Sequence, residues 1–386
     1  MKQIPLLSFL FSLFFLIGIT SCKKETNSSG KEKFPLVSNT SNIKYATGFE
    51  IEQHKGYKKL IIKSPYPKAE KSLIYVLLED KNILAHTDFH NVKIIPIPIK
   101  KLVVTSTTHI PMLELLNQEQ TLVGFPNTKY ISSPKTRSLI KNGAVKELGK
   151  EQNINTELLL DLQPDLVIGF SLNSNNKMFT NIEKAGIPVI LNGDWLEKTP
   201  LGRAEWIKFF GVLFNKEKQA DSLFNHIEKE YLQAKKIALK AINKPKILSG
   251  AMYQDKWNLP AGDSYAAQFL KDANVNYPWL NSKGKGSLSL SFESVFDKAK
   301  DAQIWLSPSF FNSYKQLSES SIHYTQFDAF KSKKVYNFVN KKGETGGVLY
   351  YELAPIQPHI VLKDIIKIVH PELLKNYTPI YLEELN

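Results

Sequence analysis

Glu157, Asp161 and Asp165 stand in the stretch NTELLLDLQPDLVIGF at residues 155–170, and Glu293, Asp297 and Asp301 repeat their spacing in SFESVFDKAKDAQIWL at 291–306. Each acid lies 136 positions from its counterpart. The first acid of each copy follows two residues after a good helix cap, Asn155 or Ser291, and there a carboxylate complements the helix dipole by about 0.3–1 kcal/mol. That local role suffices for one copy. Two copies at equal offset raise the question of what reads them both.

Other reactive groups are sparse. His86 and His90, flanking Asp88 in AHTDFH, are the one helically spaced histidine pair, but a site usually needs a third or fourth ligand and none is evident at that spacing, so no metal site is expected. Asp263 and Ser264 adjoin in AGDSY without a positioned base. The chain has no G-x-S-x-G elbow, no phosphate loop and no H-E-x-x-H helix, and GETGG at 343–347 reads as a turn. No catalytic residue, cofactor or enzymatic activity is expected.

The chain has 386 residues, 42% of them apolar, which is enough for two lobes. Its net charge of +13 is nearly all lysine, scattered along the sequence, with Arg137 and Arg203 the only arginines. Nucleic-acid readers favour the arginine fork, so no nucleic-acid partner is expected. Residues 1–22 combine a positive start, the apolar run PLLSFLFSLFFLIGI and small residues before Cys22, the sole cysteine. This resembles a bacterial lipoprotein signal, with Cys22 the lipidated residue; an uncleaved anchor would need about 20 apolar residues. A polar Ser/Gly/Lys tether follows over 23–33.

The elements that must hold the repeated acids form two α/β halves. Residues 34–202 read as a first lobe whose opening part, 34–100, is β-rich, with alternation in NIKYATGFEIEQH, YKKLIIKS and SLIYVLLED. From Lys101, strands (KLVVTS, TLVGF, PDLVIGF) alternate with helices, the pattern of parallel βα units. Residues 203–242 carry apolar positions at helical period, including Trp206, Phe210, Leu213, Leu223, Ile227, Tyr231 and Ala234, and predict a long connecting helix, with Gly211 and FNKEK the places where it would break. Residues 243–386 repeat the βα theme, with KILSGAMY as a strand and a terminal helix after PIQP.

From VKELGKEQNINTELLLDLQPDLVIGF through the connecting helix to SGAMYQDKWNLPAGDSYAAQFLKDAN and SLSLSFESVFDKAKDAQIWLS, over roughly residues 101–375, the chain resembles the substrate-binding lipoproteins of ABC importers for iron-siderophores, haem and vitamin B12. The resemblance implies two Rossmann-like lobes on one backbone helix, a cleft ligand containing iron or cobalt, and a dimeric permease in the inner membrane whose arginines meet Glu157 and Glu293. It implies an anchored lipoprotein facing the periplasm. Ligand groups in such lobes sit on loops after the carboxyl ends of strands. That rule, with the aromatic walls large conjugated ligands need, selects Phe125, Tyr130, Phe170, Trp195, Trp257, Tyr265 and Phe310. Core packing is the competing role for each. His109 in the TSTTH loop is a candidate axial ligand or a hydrogen-bonding residue. Arg203 is expected to pair with Glu205.

Overall fold

The computed structural model describes residues 39–85, 89, 92–150 and 153–386. The signal segment with Cys22, the 23–33 tether and the group His86, Asp88 and His90 lie outside the described residues. No helix among the described residues is long and apolar enough to cross a membrane.

The first lobe is built on a five-stranded parallel sheet in the order Val189–Leu191, Leu166–Gly169, Leu102–Val104, Leu122–Phe125, Lys146–Glu147. Its two central strands, LVV and LVIG, are buried throughout, as uninterrupted apolar runs covered on both faces must be. The β-rich part forms its own five-stranded sheet, Asn39–Thr40, Phe49–His54, Tyr57–Ile62, Leu73–Leu78, Lys93–Pro96, antiparallel except for the last pairing. The three strands predicted from alternation are all present.

This sheet belongs to the core. Phe49 packs on Trp206 with ring centroids 4.6 Å apart. The loop leading into it closes on two buried carboxylates. Glu205 accepts the amides of Lys44, Tyr45 and Ala46 at 2.9, 2.6 and 2.9 Å, and Glu197 accepts those of Thr47 and Gly48 at 2.9 and 2.8 Å. Lys58 reaches Asn215 at 2.9 Å and pairs with Glu217.

The connector is three helices, Pro200–Ala204, Ile207–Leu213 and Glu217–Ala238. The break falls at FNKEK, where Asn215 takes a left-handed φ of 54° and the Lys216 amide turns back to Gly211 O at 2.8 Å. The last helix has 22 residues, a rise of about 33 Å. Its buried face, Ala220, Phe224, Ile227, Tyr231, Ala234 and Ala238, steps by four and three residues, and Lys235 and Lys236 complement the dipole of its final turn. It packs along the terminal helix Pro358–Val369, where Lys363 meets Glu230 at 2.7 Å.

The second lobe repeats the parallel sheet with Ile247–Ser249, Ile304–Leu306 and Val335–Asn337, closed by antiparallel Glu383–Glu384. KILSGAMY is two strands, not one. Gly250, at φ 76°, kinks the chain where a Cβ would stand 1.9 Å from Asn258 O. Ala251–Tyr253 therefore leaves the central sheet for a ribbon with Lys256–Pro260 and Ser287–Leu290.

Candidate binding cleft

The carboxyl ends of the first-lobe strands release the loops 105–109, 126–130, 170–176 and 192–199 toward the second lobe. Two adjoining cavities of about 260 and 250 Å³ share Ser106 and Phe170. The first is walled by Phe125, Tyr130 and Phe170 from one lobe and by Gly347, Val348 and Tyr351 from the other. The second is lined by His109, Asp194 and Trp195 from the first lobe, by Arg203 from the connector and by Pro355 from the second lobe. Phe170 and Trp195 meet edge to face, centroids 6.3 Å apart. Tyr130 and Tyr351 are 54% and 43% exposed, a large solvent share for aromatic rings, and so form an accessible rim.

Of the seven aromatics singled out in the sequence, the fold gathers Phe125, Tyr130, Phe170 and Trp195 around this cleft. Phe310 extends the rim, 72% exposed and 6.3 Å from the Tyr351 ring. Tyr265 lies beneath Arg203. Trp257 is a correction: it is fully buried in the second lobe against Trp305, Tyr324 and Phe327, its indole N–H donating to Ser249 O at 3.0 Å. Alternation within Lys256–Pro260 turns it and Leu259 inward together. Another, mostly apolar cavity of about 310 Å³ lies inside that lobe among Leu259, Phe269, Leu306, Phe338 and Val361.

Arg203 is the cleft residue that sequence reasoning misassigned. Glu205 is wholly buried and spent on the Lys44–Ala46 amides and on Lys208, 3.0 Å away. Arg203 stacks its guanidinium 3.9 Å above the Tyr265 ring and donates from Nη2 to Trp195 O at 2.8 Å. Two positions along a helix face in different directions, which is the signal against an Arg203–Glu205 pair. His109 is buried against Phe210, with centroids 5.3 Å apart, and burial depresses its imidazole to about 4 despite Asp194 nearby, so it is uncharged at neutral pH.

The back of the cleft is a hydrogen-bonded seam. The buried Glu352 of the second lobe accepts the amides of Ser132 and Ser133 at 2.6 and 3.0 Å. Ser132 Oγ donates to Gly347 O at 3.0 Å, and Thr345 Oγ1 donates to Lys129 O at 2.7 Å. The GETGG turn is pressed so closely that a Cβ at Gly347 would stand 2.3 Å from Tyr130 O. Burial pushes the Glu352 carboxyl up to about 7; the Ser132 and Ser133 amides partly oppose this, and the charge of Glu114 adds to it.

The repeated acids occupy matching places. Glu157 and Glu293 lie exposed in the first turns of Thr156–Leu162 and Phe292–Ala299, capped by Asn155 and Ser291. Each helix feeds a strand that runs parallel to the first strand of its own sheet. The third acid of each copy ties down the entry to that first strand: Asp165 accepts the Lys100 and Lys101 amides, both at 2.8 Å, and Asp301 holds Lys246 Nζ at 2.6 Å. The Glu293 carboxyl is held below its usual range by its own amide and by the Ser291 hydroxyl. No side chain pairs with Glu157 among the described residues.

An uncharacterized lipoprotein of Methanocaldococcus jannaschii is 26% identical over 295 residues, 74% of this chain and 68% of its own length. A periplasmic haem-binding protein of Pseudomonas aeruginosa superposes with a TM-score of 0.56 at 15% identity, covering 75% of this chain and 98% of that one. The petrobactin-binding protein of Bacillus subtilis gives 0.54 at 20% identity, covering 71% and 94%. These two likenesses establish the two-lobed fold. The family model for periplasmic binding proteins spans residues 102–340, from the Leu102–Val104 strand of one parallel sheet to just past the Val335–Asn337 strand of the other. More than half of the chain is thus accounted for, and it belongs to the periplasmic binding protein family, as a solute-binding protein and not an enzyme.

Proposed function

We propose that this protein captures an iron- or cobalt-containing ligand, a ferric siderophore, haem or vitamin B12, in the interlobe cleft and hands it to the permease dimer of an ABC importer in the inner membrane. The observation carrying this reading is the convergence of Phe125, Tyr130, Phe170, Trp195 and Tyr351 on adjoining cavities at the carboxyl ends of the strands. Aromatic walls with a few polar pins suit large conjugated ligands. The haem and petrobactin named for two proteins of similar fold agree with that class. Glu157 and Glu293 serve as the docking anions, one per lobe, and Cys22 as the lipid-bearing residue that holds the carrier at the membrane, facing the periplasm.

The test is a thermal melt of the purified protein with haemin, cyanocobalamin and a panel of ferric siderophores. A ligand at 100 times its Kd stabilises by about 2.7 kcal/mol, a shift of several degrees. Absence of any shift across the panel rejects the ligand class. Cys22→Ala is expected to leave the membrane fraction; continued retention would reject lipidation there.

A further inference from the structure

Six buried side-chain atoms around one end of the cleft have no hydrogen-bond partner among the described residues: Thr105 Oγ1, His109 Nδ1, Asn192 Nδ2, Trp195 Nε1, Arg203 Nε and Tyr265 Oη. They are six of the eleven such atoms among the described residues, and they belong to residues that line the cavities, touch Arg203 or, in the case of Asn192, accept the Asp194 amide at 2.8 Å. Each orphaned group costs about 1–3 kcal/mol, so their concentration in one place points to a partner supplied from outside the chain.

The chemistry of that partner follows from the set. Arg203 is the one cationic side chain lining the two cavities, and it pairs with no carboxylate among the described residues. Its Nη2 is committed to Trp195 O, its position is fixed by the Tyr265 face, and Nη1 makes no bond among the described residues and is not among the buried atoms. Trp195 Nε1–H adds a donor without an acceptor. One fixed guanidinium beside neutral donors suits a single negative charge. The Asp194 carboxylate on the same wall repels a second one, which disfavours a phosphate dianion. Phe170 and Pro355 supply apolar surface next to the charge.

We infer that this end of the cleft is a carboxylate subsite: Arg203 and Trp195 hold a monoanionic carboxylate carried on an apolar, ring-bearing body, so the transported ligand is acidic. This deepens the reading of the cleft as the ligand site and rests on it.

The experiment titrates the full-length protein with benzoate, its neutral isostere benzamide and inorganic phosphate by isothermal calorimetry. Benzoate is expected to bind saturably, about tenfold more tightly than benzamide, as loss of a charge-assisted hydrogen bond implies. Arg203→Gln is expected to abolish that preference, and Arg203→Lys, which keeps the charge without the fork, to retain part of it. Equal binding of benzoate and benzamide, binding of neither, or tighter binding of phosphate overturns the carboxylate subsite, and the first three titrations decide this even if a variant fails to fold. Haemin and its dimethyl ester separate the two levels. Equal affinity for both upholds the ligand class and rejects the carboxylate subsite; a benzoate preference with no response to any ferric or cobalt ligand does the reverse.

Discussion

Trp257 and Phe170 show how little a residue type says about its role. Trp257 lies fully buried among three other rings. Trp257→Ala is therefore expected to cost about 3–5 kcal/mol, seen as a lower urea midpoint, with ligand affinity per folded molecule unchanged. An affinity loss at unaltered stability would return Trp257 to the cleft. Phe170 lines both cleft cavities and is only partly buried. Phe170→Ala should cost about 1 kcal/mol of stability and lower ligand affinity roughly tenfold, measured by melting shift and titration. Neither outcome was legible in the sequence, where both rings follow a strand pattern. Arg203 was equally opaque, because its partner Tyr265 lies 62 positions away and Glu205 had a nearer claim in sequence.

Among the elements, the two short helices that carry Glu157 and Glu293 give the clearest test. Asn155→Ala and Ser291→Ala each remove a side-chain acceptor from a helix N-terminus and should cost about 1 kcal/mol. Charge reversal at Glu157 and Glu293 together should change stability little, leave ligand affinity intact and abolish uptake in a transport assay. Normal uptake by a folded double variant would reduce both acids to dipole partners. The long helix was legible because its apolar spacing is a property of the helix alone. Its break at FNKEK was legible for the same local reason, whereas the kink at Gly250 was not, since it is set by the Lys256–Pro260 strand folding back against it.

The whole molecule depends on buried carboxylates that join distant segments. Glu352 ties the lobes, and its folded value of about 7 exceeds the ordinary 4.5, so the folded state holds a proton that the unfolded chain releases. Between about pH 4.5 and 7 folding stability should therefore fall as pH rises, by up to about 3 kcal/mol from this group, and Glu352→Gln should flatten that slope in urea titrations at pH 5 and 7.5. An unchanged slope would show that another group dominates. Glu205→Ala strands the amides of Lys44, Tyr45 and Ala46 and should cost about 3 kcal/mol or more, with proteolysis of the β-rich segment as a second readout.

By itself the sequence determined the two-lobed α/β plan, the long connecting helix, the three main strands of the β-rich sheet and the doubling of the acids. All of these follow from periodicity, capping and repetition along a single stretch of chain. The tertiary structure decided which aromatics reach the cleft, that Arg203 faces it while Glu205 clasps the incoming loop, and that Glu352 joins the lobes. Those assignments depend on groups 60 to 220 positions apart being brought within hydrogen-bond or ring-stacking distance, and no local pattern encodes such distances.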